Sequence, residues 1–140
     1  MTEARAALRQ LVIEACAPEI ASDRIIPAGA VDTPKGPKPF VIIKWGSSDA
    51  VFGQTGPTNV DLWFYDFQRT YVRLSPIIQR CKDAITPAEH VSGEDGFVLT
   101  QADWVSDSED LYDDVYKAVL RRSTFRVAAR YAGPSERSNE

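Results

Sequence analysis

Thr58–Asp66 reads TNVDLWFYD. Val60, Leu62 and Phe64 fall on one side of an extended chain, and Asp61, Trp63 and Tyr65 on the other. This period of two predicts a strand that turns one face toward a core. Upstream, Phe40–Trp45 (FVIIKW) is β-branched and aromatic, and too short and punctuated for a helix. Between the two lies Gly46–Pro57 (GSSDAVFGQTGP), with turn residues on both sides of Val51 and Phe52. The pair predicts an antiparallel hairpin with an extended tip. Apolar side chains at such a tip are costly for a monomer and useful for a partner.

Helical periodicity flanks this hairpin. Over residues 2–17, Ala4, Leu8, Leu11, Val12 and Ala15 recur at helical spacing, with Thr2 as N-cap and Pro18 as the exit. Over residues 69–85, Tyr71, Leu74, Ile77, Ile78, Cys81, Ala84 and Ile85 form one stripe. Ser75-Pro76 inside it suits a cap and a first turn, which would start the helix at Pro76 and leave Arg69–Leu74 as a turn. Residues 18–39 hold five of the nine prolines and predict a connector with one extended piece near Arg24–Ile26.

Gly96–Trp104 (GFVLTQADW) predicts a third strand, and Asp107–Asp114 (DSEDLYDD) a turn-rich acidic stretch with one helical turn. From Tyr116 two readings stand, a helix through Val119 and Leu120 or a strand. Arg122–Tyr131 alternates, so a strand is expected from about Leu120 to Tyr131. The fold class expected is α+β: an antiparallel sheet of about four strands, two helices on one face, in one domain over 1–131. Residues 132–140 are read as a polar C-terminal tail.

The composition excludes several kinds of chemistry. With one His and two Cys in 140 residues, a zinc protein or a disulfide scaffold is not expected. Cys16 and Cys81, 65 positions apart on apolar stripes, read as buried free thiols. His90 lies in PAEHVSGEDG without a nucleophile at a recognisable spacing. Gly46, Gly53 and Gly56 precede no helix, so they read as turn formers and not as a phosphate cradle. No cofactor and no metal is expected. The segment MTEARAALRQ has no signal-peptide pattern, and no apolar run approaches the roughly 20 residues of a membrane span. A monomeric enzyme or ligand-binding domain would have to draw its pocket from Trp45, Trp63, Tyr65 and Trp104; such strand aromatics are more often core or interface.

The net charge of −4 opposes general nucleic-acid binding, but its distribution is uneven. Ten of the twenty acids fall between Asp83 and Asp114, with no Lys or Arg between Lys82 and Lys117. Lys117, Arg121, Arg122, Arg126 and Arg130 then follow with no acid before Glu136. DSEDLYDD lacks the fixed spacing and interior Gly of an EF-hand loop. The segregation fits a head-to-tail contact in which acid on one subunit meets base on the next. The subunit-interface candidates are Lys117, Arg121, Arg122 and Arg126 against Asp107, Asp110, Asp113 and Asp114. Val51, Phe52 and Gln54 are the candidates for a contact with a tube or neck protein.

Several stretches in order carry a resemblance. They are RIIP at Arg24–Pro27, DTPKGPKPFVIIKWG at Asp32–Gly46, VDLWFYD at Val60–Asp66, the helix around Tyr71–Ile85, QADWVSDSEDLYDD at Gln101–Asp114, and RRSTFRVAAR at Arg121–Arg130. Together the chain resembles the tail terminator proteins of long-tailed bacteriophages, chiefly those of actinobacterial phages. The resemblance covers about residues 1–131. It implies a non-enzymatic virion protein forming a ring, usually a hexamer, on the head-proximal end of the tail tube, after assembly in the host cytoplasm. The implied partners are further copies of itself, the tail tube protein, and a head-completion or stopper protein of the neck. DNA would pass through the ring without specific binding, and no membrane is involved. The alternative is another neck component.

Overall fold

The computed structural model describes residues 5–28, 38–46, 50–51, 54–67, 70–86, 97–115 and 117–131. The hairpin predicted from TNVDLWFYD forms its centre. β2 (Phe40–Trp45) pairs antiparallel with β4 (Gln54–Asp66), with Ile42 opposite Trp63 and Ile43 opposite Leu62. β4 then pairs antiparallel with β7 (Ala118–Tyr131), which pairs on its other side with β5 (Phe97–Asp107). Three shorter strands complete one mixed sheet of seven. β1 (Ile25–Pro27) runs parallel to β2, β3 (Ala50–Val51) pairs with β4, and β6 (Leu111–Asp113) pairs with β7. The main path is β1-β2-β4-β7-β5, so β1 and β5 are its edges.

The expected α+β class holds, and the sheet is mostly antiparallel. It is larger than four strands because β1, β3 and β6 are only two or three residues long, too short to show a period. The helical turn expected in Asp107–Asp114 is instead the end of β5, a connector and β6. Ser108 fixes this connector on β7: its N–H donates to the Arg122 carbonyl at 2.8 Å, and its hydroxyl accepts from the Arg122 N–H at 2.9 Å. The open choice after Tyr116 resolves as strand, with Lys117 at φ 58° ending the β6–β7 turn. The left-handed value lets a four-residue hairpin loop close.

Helix α1 (Arg5–Cys16) buries Ala7, Leu8, Val12 and Cys16, and α2 (Leu74–Ile85) buries Leu74, Ile77, Ile78, Cys81 and Ile85. α2 begins two residues before Pro76, which sits in the first turn where its missing N–H leaves no bond unmade. Both helices pack on the sheet face carrying Val41, Ile43, Val60, Leu62, Phe64, Phe125 and Val127 in one core. Full burial of each large aliphatic side chain contributes about 1.5–3 kcal/mol. Arg80 of α2 locks the helix pair. Its Nε donates to the Ala15 carbonyl at 2.8 Å, one of the last carbonyls of α1, and its Nη2 reaches Glu19 at 2.7 Å. That contact holds the Glu19 carboxyl below its ordinary range.

Cys16 and Cys81 are both buried, with 3.7 Å between the sulfurs across the helix pair. The bond with Cys16 and burial together push the Cys81 thiol well up, which disfavours the reactive thiolate. At the other end, Arg73 donates from Nε to Asp66 at 2.8 Å and from a second nitrogen to the other oxygen, which neutralises a fully buried carboxylate.

Candidate functional site

Strand alternation decides where the charged candidates lie. β7 sends Arg121, Ser123, Phe125 and Val127 to the helix-bearing face, and Leu120, Arg122, Thr124 and Arg126 to the opposite face. The basic run therefore does not form one surface. Arg121 stacks over Tyr71 at 4.4 Å and donates to Asp110 and to the Ser75 hydroxyl, the latter at 2.9 Å. Tyr71 in turn donates to the Leu111 carbonyl at 2.7 Å. Burial is the main cause that raises the Tyr71 hydroxyl above its usual range, with the Asp110 charge adding to it. Arg121 and Asp110 are thus partners within one chain.

Asp107 is also engaged within the subunit. It accepts from Lys82 of α2, from Trp104 Nε1 at 3.0 Å and from the Ser123 hydroxyl at 2.8 Å. Burial works to raise this carboxyl, and the three donors outweigh it and hold it below the ordinary range. Asp107 therefore ties α2, β5 and β7 together.

The opposite face is divided. At one end Phe40 stacks on Tyr65 at 4.5 Å with 7° between the planes, and they pack with Ala118 and Leu120 in a second small core. Trp63 lines its margin, and the Arg122 guanidinium lies over it at 5.9 Å. Beyond it the face turns polar. Arg126 stands between Asn59 and Asp103 in register, and Asp61 accepts from the Thr124 hydroxyl at 2.6 Å. Arg122 and Arg126 are therefore brought together, and Arg121 is not with them.

The β6–β7 turn holds the remaining candidates. The Asp113 carboxylate accepts from the Val115 N–H at 2.8 Å, a local bond that shapes the turn. Asp114 and Lys117 are exposed beside it, and Val115 is 89% exposed. Lys117 thus shares a hairpin with the acids it was expected to meet on a neighbouring copy. In the other loop, the backbone of Val51 pairs with Gln54. The side chains of Val51 and Gln54, the whole of Phe52, His90 and residues 132–140 lie outside the described residues.

Three carboxylates of DSEDLYDD turn to different partners, Asp107 to Lys82, Asp110 to Arg121 and Asp113 to the Val115 N–H. Among the described residues no group of three or more His, Cys, Asp or Glu is placed to hold a metal ion. No described helix is long and apolar enough to cross a membrane. Nor do the strand aromatics converge. Trp45 carries Arg5 at 5.3 Å beside the helices, Trp63 and Tyr65 face the other way, and Trp104 stands on the far edge strand.

Of the exposed apolar residues Val72, Trp104, Val105, Tyr112 and Val115, only Trp104 stood out in the sequence, as a pocket, core or interface candidate. Trp104 and Val105 lie on the edge strand β5, where the pairing with β7 shifts register between Trp104 and Ser106.

No protein-family model matches this chain, and no curated protein matches it. Its fold is similar to that of a chain in the solved virion of a native gene transfer agent (GTA) particle. The TM-score is 0.54 at 13% identity, over 90% of this chain and 86% of that one. At this identity the likeness is one of fold, and it spans both chains nearly end to end.

Proposed function

We propose that this protein is a structural component of a phage-like virion, and that it caps the head-proximal end of the tail tube as a ring, the tail terminator role. The observation that carries the reading is the nearly end-to-end fold likeness to a chain of the GTA virion. The order of terminator-like stretches along residues 1–131 supports the finer role. That the strand aromatics share no pocket among the described residues favours assembly over small-ligand chemistry.

In this reading a heterologous contact repeats until the ring closes. Arg122 and Arg126 on the open sheet face offer the basic side. Glu109, Asp113 and Asp114 around β6 offer the acidic side, with Val115 at the tip adding apolar contact. Arg121, Asp107 and Asp110 set the shape of these surfaces through their own contacts, and Lys117 through its backbone at the turn. The Val51–Gln54 loop reaches the last ring of tube protein, and the far side of the ring meets the head-completion or stopper protein. Six copies would carry on the order of −24, a like charge that lets DNA pass without sticking.

Native mass measurement, alone and on isolated tail tubes, tests the ring. A ring-sized species that Arg126→Glu disperses, and that added salt weakens, is expected. A strict monomer in both settings contradicts it.

A further inference from the structure

The sequence holds two cysteines, 65 positions apart, and the fold brings both to the contact between α1 and α2. Cys16 is the last residue of α1 and Cys81 lies within α2, each fully buried, with 3.7 Å between the sulfurs. Their chain neighbours hold that approach. Arg80, beside Cys81, donates to the carbonyl of Ala15, beside Cys16, and reaches on to Glu19. The Ile20 N–H closes the exit of α1 on the Cys16 carbonyl at 3.0 Å. Neither sulfur takes part in the surfaces assigned above, and among the described residues no metal-ligating cluster forms around them.

Two facing thiols in a closed site have a narrow chemistry. A metal would need further ligands, and a nucleophile would need a substrate beside it. What the pair can do is join. The sulfurs already face each other at 3.7 Å, and bond formation requires them to close by less than about 2 Å. With no third cysteine in the sequence and both thiols shielded from other chains, the bond they form is an intramolecular one. In the reduced fold, the bond with Cys16 and burial hold the Cys81 thiol up, so the pair reacts only when the helix pair opens.

We propose that Cys16 and Cys81 are an oxidation site, at which a peroxide joins the two sulfurs into a disulfide that staples α1 to α2. One sulfur, as its thiolate, attacks the peroxide; the O–O bond breaks, a sulfenic acid forms, and hydroxide leaves and takes a proton to become water. The second sulfur attacks the sulfenic sulfur; the S–O bond breaks, the S–S bond forms, and a second water leaves. Together the two thiols give up two electrons and two protons, and one peroxide becomes two waters. The bond closes a loop that runs from the end of α1 through β1, β2, β3 and β4 into α2, and a loop of that length strongly restricts the unfolded chain. The chemistry stands on its own geometry; taking its setting to be a particle that has left the reducing cytoplasm rests on the virion reading above.

The test uses the full-length protein, purified with a reductant and then exposed to hydrogen peroxide. The intact mass should fall by about 2 Da, the two hydrogens lost on disulfide formation. No thiol should remain for a maleimide after denaturation, and a non-reducing digest should yield a peptide pair joined at Cys16 and Cys81. The melting temperature should rise by about 5–15 °C and return on reduction. Cys81→Ala should show neither the mass loss nor the rise; the wild type compared with and without reductant gives the same reading should that variant not fold. Free thiols after prolonged peroxide near the melting temperature, disulfide-linked dimers, sulfinic acid in place of the bridge, or a bridge that lowers the melting temperature would each overturn the proposal. Alkylation of released particles at collection separates the setting from the chemistry. A bridge there, with free thiols in the host cytoplasm, is expected. A bridge that forms in the purified protein but is missing from released particles would keep the site and remove the virion as its setting.

Discussion

Asp107 shows how a single residue can look like a contact site and act as a joint. Lys82, Trp104 and Ser123 all donate to it, and they hold its carboxyl below the ordinary range against the effect of burial. A carboxyl with a depressed folded value adds stability that is present above its unfolded value. That stability is lost as pH falls through the folded value. Asp107→Asn should therefore lower stability by about 1 kcal/mol at neutral pH, a modest figure because the side chain is partly exposed. The gap to the wild type should close below about pH 4, and denaturant melts across pH would measure it. Lys117 gives the opposite expectation. Its φ of 58° is costly for a residue with a side chain. Lys117→Gly should raise stability by about 1 kcal/mol, read as a higher melting temperature.

At the scale of elements, the β2–β4 hairpin depends on a close backbone approach. Gly46 donates its N–H to the Asn59 carbonyl at 2.8 Å, and a Cβ at Gly46 would lie 2.9 Å from that oxygen. Gly46→Ala should therefore cost about 1–3 kcal/mol, measurable by chemical denaturation. This hairpin, both helices and the long strands were legible because each repeats its period over several residues. The alternation of Val60, Leu62 and Phe64 against Trp63 and Tyr65 was enough to assign both faces of β4. The extended piece near Arg24–Ile26 was legible and is β1, but its parallel pairing with β2 was not, and neither was the small β6. Three residues carry no period, and their pairing is set by what β2 and β7 present. The charge run was visible as a run, but its division was hidden: period two separates Arg121 from Arg122, a consequence that composition does not reveal.

For the whole molecule, the useful feature is an asymmetry. One sheet face is filled by two helices, while the other carries a small aromatic core and then Arg122 and Arg126. The acidic β6–β7 hairpin projects beside them with Val115 at its tip. Such a subunit has two unlike surfaces, as a head-to-tail ring requires. The internal pairs Arg121–Asp110 and Lys82–Asp107 narrow the set of charges left for a neighbour. Arg126 and Asp114 thereby become the sharper contact candidates.

The central claim is that this chain ends the growth of a tail tube. Electron microscopy of particles assembled without the protein tests it most directly. Tails of uncontrolled length, separate from filled heads, are predicted, with length control restored by the wild-type chain. Tails of normal length joined to heads would contradict the account.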